Sequence, residues 1–353
     1  MKNILKIVMV IVGTLVGAGF ASGREIYLFF AKFGKLGIVG ILISGILTGT
    51  IIYFTLKTTK NENENKKNNN KENINGYSEF LEKINKNKII NFFIKNIVII
   101  FLLISFYIMV AAFSAYIKQI YEIPIYISSI TFVFCTYIIF RKNIKGIVKI
   151  NEILVPFLII FILYLGLKNI PYVLTNKNIF DTNIFESNIN GFLINSFLYT
   201  SYNSIILIPI LISMKKYIKN EKEIRYITII TGFIIILMSL SIYGLLLKGI
   251  FYIPEVEMPL LEIVIEFGKI YLYIYNFVII VSIFTSAIST GYGFLENVSK
   301  NKKTYNNALI FMCISSIFIS NIGFSKLVKI LYPIFGILGI IQIYYILKNI
   351  KNL

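Results

Sequence analysis

Apolar residues dominate this chain in long stretches separated by short polar connections: roughly 4–30, 36–56, 90–117, 123–140, 146–167, 190–213, 224–247, 268–294, 304–321 and 325–348. A helix needs about 20 residues to cross the hydrocarbon core of a bilayer. A membrane barrel would instead show alternating segments of about 10 residues. The pattern therefore predicts an all-α integral membrane protein with ten transmembrane helices, the economical way to satisfy every backbone group in lipid. The first stretch, with Lys2 and Lys6 ahead of small residues, imitates a secretory leader. Nine further stretches follow, so it reads as a retained helix.

Two connections stand apart. TTKNENENKKNNNKEN (58–73) is polar and aperiodic, which predicts a disordered cytoplasmic loop over about 57–75. IPEVEMPLLEIVIEFG (253–268) carries Pro254 and Pro259 as helix starters and Glu262 and Glu266 one turn apart. It is expected to lie across the mouth of the protein, as a lid or as an inert surface helix. With the polar insert set aside, the chain divides near residue 170 into two sets of five spans within one transporter domain, 1–353. An odd number of spans per half gives halves 1–170 and 171–353 opposite orientations, the plan of an inverted repeat whose site lies where helices are discontinuous.

The discontinuities are readable. VGTLVGAGFASGRE (12–25) brings Gly13, Gly17, Gly19 and Gly23 into the first span, where glycine is costly unless the backbone unwinds. Gly13 and Gly17 also suit a close helix-packing face. In the sixth span, YTSYNS (199–204) places Thr200, Ser201, Asn203 and Ser204 where their side chains compete for backbone hydrogen bonds, and Pro209 removes a donor. Both spans are predicted to break mid-membrane, with polar interhelical contacts as the plainer reading of the second. In the eighth, Ser282, Thr285, Ser286 and Ser289 fall at i, i+3, i+4 and i+7 and form one stripe. Hydroxyl and carbonyl oxygens suit a hard cation such as Na+ better than a proton, and equally suit helix packing. Of the charges within spans, Glu152 has Lys149 one turn away, near a span end where both side chains can reach the interface. Arg24 and Glu25 read as an outer gate.

Composition narrows the chemistry. The chain has 353 residues, 57% of them apolar, no His and no Trp. Without His, His-based catalysis and His ligation of metals are excluded. Cys135 and Cys313 each lie inside an apolar stretch and support neither a disulfide nor a metal site. The net charge of +18 would point to nucleic acid in a soluble protein, but 25 of the 35 Lys and Arg fall on one side of the alternating spans and 10 on the other. That asymmetry puts both termini in the cytoplasm, with the lipid bilayer as the partner and no role for nucleic acid. No GxxxxGK[ST] loop is present, so the chain is not itself an ATP-driven pump.

VGTLVGAGFASGRE resembles the first helix of the YkvI family of bacterial membrane proteins, in the amino acid-polyamine-organocation (APC) superfamily that shares the LeuT fold. The resemblance implies a sodium ion held by Gly13 and Val16 of the first helix and by Ser282, Thr285 and Ser286 of the eighth. It also implies a solute facing Gly17, Ala18, Gly19, Tyr199, Thr200 and Ser201, with Tyr107 of the third span as a further hydroxyl contact. The expected function is secondary active transport of a small amino acid-like or other carboxylate-bearing solute by alternating access, coupled to Na+, with no other cofactor and no enzymatic step. Proton coupling through Glu25 or Glu152 is the alternative, as is a non-transporting sensor or partner subunit with the same fold.

Overall fold

The computed structural model describes residues 2–67, 77–142, 148–176, 180, 185–186 and 188–350, and among these there is no β-strand. The first span comes in three pieces, α1 (Lys2–Leu15), α2 (Ala18–Ala21) and α3 (Arg24–Phe29). The long helices that follow are α4 (Lys35–Lys67), α6 (Lys88–Tyr121), α7 (Ile125–Arg141), α8 (Val148–Thr175), α9 (Ile189–Met214), α10 (Glu221–Lys248), α12 (Lys269–Val298), α13 (Lys302–Ser320) and α14 (Phe324–Ile350). Two shorter helices, α5 (Tyr77–Ile84) and α11 (Pro259–Phe267), lie between them.

Each apolar stretch of the sequence coincides with one of these helices or, in the first case, with the α1–α3 series. Seven helices are long and apolar enough to cross a bilayer by themselves: α4, α6, α8, α9, α10, α12 and α14. The ends are set by local chemistry. Asn87, Asn188, Asn220 and Asn301 cap α6, α9, α10 and α13 with their side-chain oxygens, which satisfies amides that have no intrahelical partner. Large apolar side chains on α6 and α9, such as Phe92 and Phe197, remain exposed, as expected for surfaces that face lipid rather than water.

Two expectations need correction. The sixth span, α9, is one uninterrupted helix from Ile189 to Met214. Its polar side chains bond back into their own helix instead of opening it: Ser196 to Phe192 O (2.7 Å), Thr200 to Ser196 O (3.0 Å), Asn203 to Tyr199 O (3.0 Å) and Ser204 to Ser201 O (2.6 Å). Pro209 deletes one donor without ending the helix. In the polar insert, residues 58–67 continue α4 as helix, in keeping with the good helix propensity of Glu and Lys; residues 68–76 lie outside the described residues.

The packing has a regular order. Exchanging the series α1, α4, α6, α7, α8 with α9, α10, α12, α13, α14 leaves the neighbours unchanged, save that α6 packs on α9 whereas α12 packs on α2 of the first span. Thus α1 packs on α8 and α10 as α9 packs on α14 and α4. Likewise α8 packs on α10 and α12 as α14 does on α4 and α6, while α4 with α10, α6 with α12 and α7 with α13 pair across. An open groove of about 440 Å³ between α4 and α10 is lined by Gly45, Gly49 and Gly232, with exposed Ile46, Ile229 and Phe233 at its sides. It faces outward from the bundle.

Candidate functional site

The first span breaks where its glycines predict. Val16 N–H closes the last bond of α1 on Val12 O (2.8 Å), and the helix resumes at Ala18 after an extended Gly17. The carbonyls of the last turn of α1, Gly13 to Val16, have no following turn to bond them. A second interruption falls at Ser22–Gly23, where Gly23 has φ of +79°. That is a left-handed conformation for which glycine is the natural residue.

Neighbouring helices serve the groups freed between these breaks. Tyr275 of α12 donates to Ala21 O (3.1 Å), Leu260 N–H of α11 donates to Ser22 O (2.9 Å), and the Ser22 hydroxyl donates to Gly19 O (3.0 Å). Irregular backbone at membrane depth is tolerable when protein satisfies it in this way. Met109 of α6 reaches within 4.0 Å of where a Cβ on Gly17 would sit. Thus α6, α11 and α12 wall the break.

Arg24 and Glu25 do not form a pair. Arg24 turns outward and donates to the carbonyls of Ile253 (3.0 Å), Val256 (3.2 Å) and Pro254 (3.4 Å), with its guanidinium 5.4 Å from the centre of the Tyr27 ring. Glu25 turns inward and is only 3% exposed. Its carboxylate accepts a hydrogen bond from the hydroxyl of Tyr202 of α9, beside which lies Tyr332 of α14. Around it, Tyr202 stacks on Tyr332 (centroids 4.6 Å apart) and on Phe29 (5.5 Å), while Tyr199 meets Phe29 edge-on (5.4 Å). Gly19 closes the last side, since a Cβ there would occupy the space of the Glu25 carboxylate.

This arrangement sorts the expected site residues. Tyr199 joins the cage, whereas Thr200 faces α4 through Ser44 O (3.4 Å) and the Ser201 carbonyl packs against Gly339 of α14. Both residues make contacts between helices. Tyr107 is 2.6 Å from the Ser315 hydroxyl of α13, on the face of α6 opposite Met109 by the 100° helical step. Gly19 serves to seat Glu25. Gly17 and Ala18 remain at the break. On α12, Ser282 and Thr285 are buried, Ser286 is half-buried and Ser289 is exposed, so only part of the stripe faces protein. The Thr285 hydroxyl donates to Val281 O (2.9 Å), leaving its lone pairs free. Gly13 packs on Val155 of α8. Glu152 and Lys149 fall within α8, and their side chains lie outside the described residues.

The 253–268 segment packs on the outer part of the broken first span, on α10 and on α12. Its helix α11 starts at Pro259. Gln119 of α6 clamps it, accepting from Met258 N–H (3.1 Å) and donating to Met258 O (3.3 Å) and Glu262 (2.7 Å). Glu257 accepts from Ser325 N–H at the start of α14 (2.5 Å), and Lys248 pairs with Glu266 (2.6 Å). Tyr252, outside the spans, donates to Glu266 (3.0 Å); burial, then that bond, pushes its hydroxyl pKa up.

Tyr202, Tyr332 and Gln119 were not among the residues picked out from the sequence. Tyr202 carried a signal, because i, i+3 spacing places it beside Tyr199. Tyr332 and Gln119 belong to distant helices and carried none.

No family model matches the chain. An uncharacterized membrane protein of Bacillus subtilis, YkvI, is 28% identical over 94% of this chain and 91% of its own length. The uncharacterized protein YyaD of the same species is 26% identical over 95% and 94%. Among solved structures, a mutant of the Eremococcus coleocola manganese transporter superposes with a TM-score of 0.50 at 14% identity, over 90% of this chain and 68% of that one. The fold is that of an integral membrane helical protein.

Proposed function

We propose that this protein is a secondary active transporter of a small amino acid-like or other carboxylate-bearing solute, working by alternating access in a bacterial inner membrane. In this reading ten spans are built from two inverted sets of five, α1–α8 and α9–α14. The exchange symmetry of the packing supports that division, although the sets differ in that only the first opens with a broken span.

The interrupted first span carries the proposal. Backbone N–H groups at Gly17 and Ala18 and carbonyls at the end of α1 gather inside the bundle beneath α11, the arrangement by which discontinuous helices hold solutes and ions. Sodium is the coupling ion of the first reading, held by the carbonyls of Gly13 and Val16 and by Ser282, Thr285 and Ser286. The caged Glu25 favours a second, in which a proton couples transport. Manganese is not carried over from the structural neighbour: among the described residues no group of three or more Cys, Asp or Glu is placed to hold a metal.

The test is uptake of a panel of labelled amino acids and short carboxylates by proteoliposomes under an inward Na+ gradient, an inward proton gradient, or neither. Accumulation under one gradient only is expected. Binding without flux would make the protein a sensor or partner subunit, and neither binding nor flux would remove the solute class.

A further inference from the structure

Arg24 and Glu25 are the two charged side chains buried among the described residues, and they are served very differently. Arg24 meets three carbonyls. Glu25 meets the Tyr202 hydroxyl, enclosed by Phe29, Tyr199, Tyr202 and Tyr332, with no cation among the described residues.

Among the described residues no ion pair involves Glu25. α2 has no titratable side chain, and α10 turns Ile242 and Leu246 toward Gly23. α9 and α14 offer the tyrosines, while Lys326 and Lys329 of α14 are exposed. Lys32, just beyond α3, pairs with Glu186 (3.3 Å) and Lys248 pairs with Glu266. A full negative charge closed off from water needs a counter-charge as well as hydrogen bonds. With the Gly19 backbone and four aromatic rings filling its surroundings, Glu25 has a small partner to find.

We propose that Glu25 binds one exchangeable proton, and that this proton latches α3 to α9 and α14. With it, the neutral carboxyl shares a hydrogen bond with Tyr202, which stacks on Tyr332, and holds the outer piece of the first span in the bundle. When the proton leaves, the uncompensated carboxylate draws water or moves toward it, and α3 separates from Tyr202 and Tyr332. Gly23, in its left-handed turn, lets α3 move apart from α2. The meaning of the latch for transport rests on the transporter reading; its test does not, because no solute is needed.

Hydrogen-deuterium exchange of the full-length protein in nanodiscs, corrected for intrinsic rates, reads the latch at the amides of residues 24–29. These should exchange roughly tenfold or more faster at alkaline than at mildly acidic pH. Glu25→Gln, neutral at every pH, should stay protected throughout. An equal pH response in wild type and Glu25→Gln overturns the proposal. So does recovery of protection at alkaline pH by Na+ but not by choline, which would make the cage a sodium site. Should the Gln variant fail to insert, infrared spectra of wild-type protein with isotope-labelled Glu decide. A protonated-carboxyl band that disappears as pH rises, and that Tyr202→Phe shifts, supports the latch, and its absence at acidic pH overturns it.

Discussion

Gly19 and Glu25 make a pair whose members are intelligible only together. The carboxylate fits because residue 19 has no Cβ, and it can accept from Tyr202 because it fits. Gly19→Ala should therefore destabilise the protein by about 2–4 kcal/mol, combining overpacking with a displaced buried acid. Glu25→Ala removes the obstruction, so Gly19→Ala should cost less in that background, with a coupling of about 1 kcal/mol or more measured by thermal unfolding in detergent. Additive losses would mean that the carboxylate does not rest on Gly19. The hydroxyls of α12 call for a different test. If Thr285 and Ser286 hold a hard cation, Thr285→Val with Ser286→Ala should abolish sodium-dependent uptake while the protein stays folded, because the loss far exceeds the ~1 kcal/mol of one ordinary hydrogen bond. Sodium dependence that survives the double substitution would show that these hydroxyls do not hold the ion and serve in helix packing.

At the scale of helices, the sequence was legible where a feature had one physical outlet. Each apolar stretch gave a helix or, in the first case, the α1–α3 series, and four glycines with no side chain to protect the backbone gave the break at 16–23. The YTSYNS segment had two outlets, since the same hydroxyls that can open a helix can also bond to its carbonyls three or four residues back. In α9 the second outlet prevails. The long apolar flanks on either side favour continuity, and α14 lies so close that Gly336 and Gly339 face the backbone of Leu198 and Ser201. No residue of the sixth span announces that contact; it belongs to α14. Gly339→Ala should push α14 from α9, loosen Tyr332 from the cage and cost about 1–3 kcal/mol in unfolding experiments. By contrast Gly244→Ala, where a Cβ meets nothing within 4 Å, should be close to neutral or slightly stabilising. Equal losses at the two positions would show that helix propensity and not the α9–α14 approach sets the effect. Helix α11 supplies a further check. Gln119→Leu removes three hydrogen bonds to Met258 and Glu262 at once and should raise the labelling of a cysteine introduced at Leu260 by a water-soluble reagent. Unchanged labelling would show that Leu260 N–H on Ser22 O holds α11 without the clamp.

For the whole molecule, the connections between the first span and α11 have a direction. Arg24, Ser22, Gln119, Glu257 and Glu266 all fasten the 253–268 segment to the bundle on one side, so that side is closed. Which side of the membrane it is follows from charge, because Lys and Arg accumulate in cytoplasmic connections. On the proposed orientation, which the 25-to-10 split supports, α11 and the connection after α8 lie outside, and the 58–73 segment and both termini inside. In a background with Cys135 and Cys313 replaced by Ser, a membrane-impermeant maleimide applied to intact cells should label Asn176→Cys at the end of α8. The same reagent should reach Asn69→Cys only after the cells are lysed. The reverse pattern would put the closed side in the cytoplasm, and a proton or sodium gradient directed inward would then meet the open end of the first span instead of the latch at Glu25.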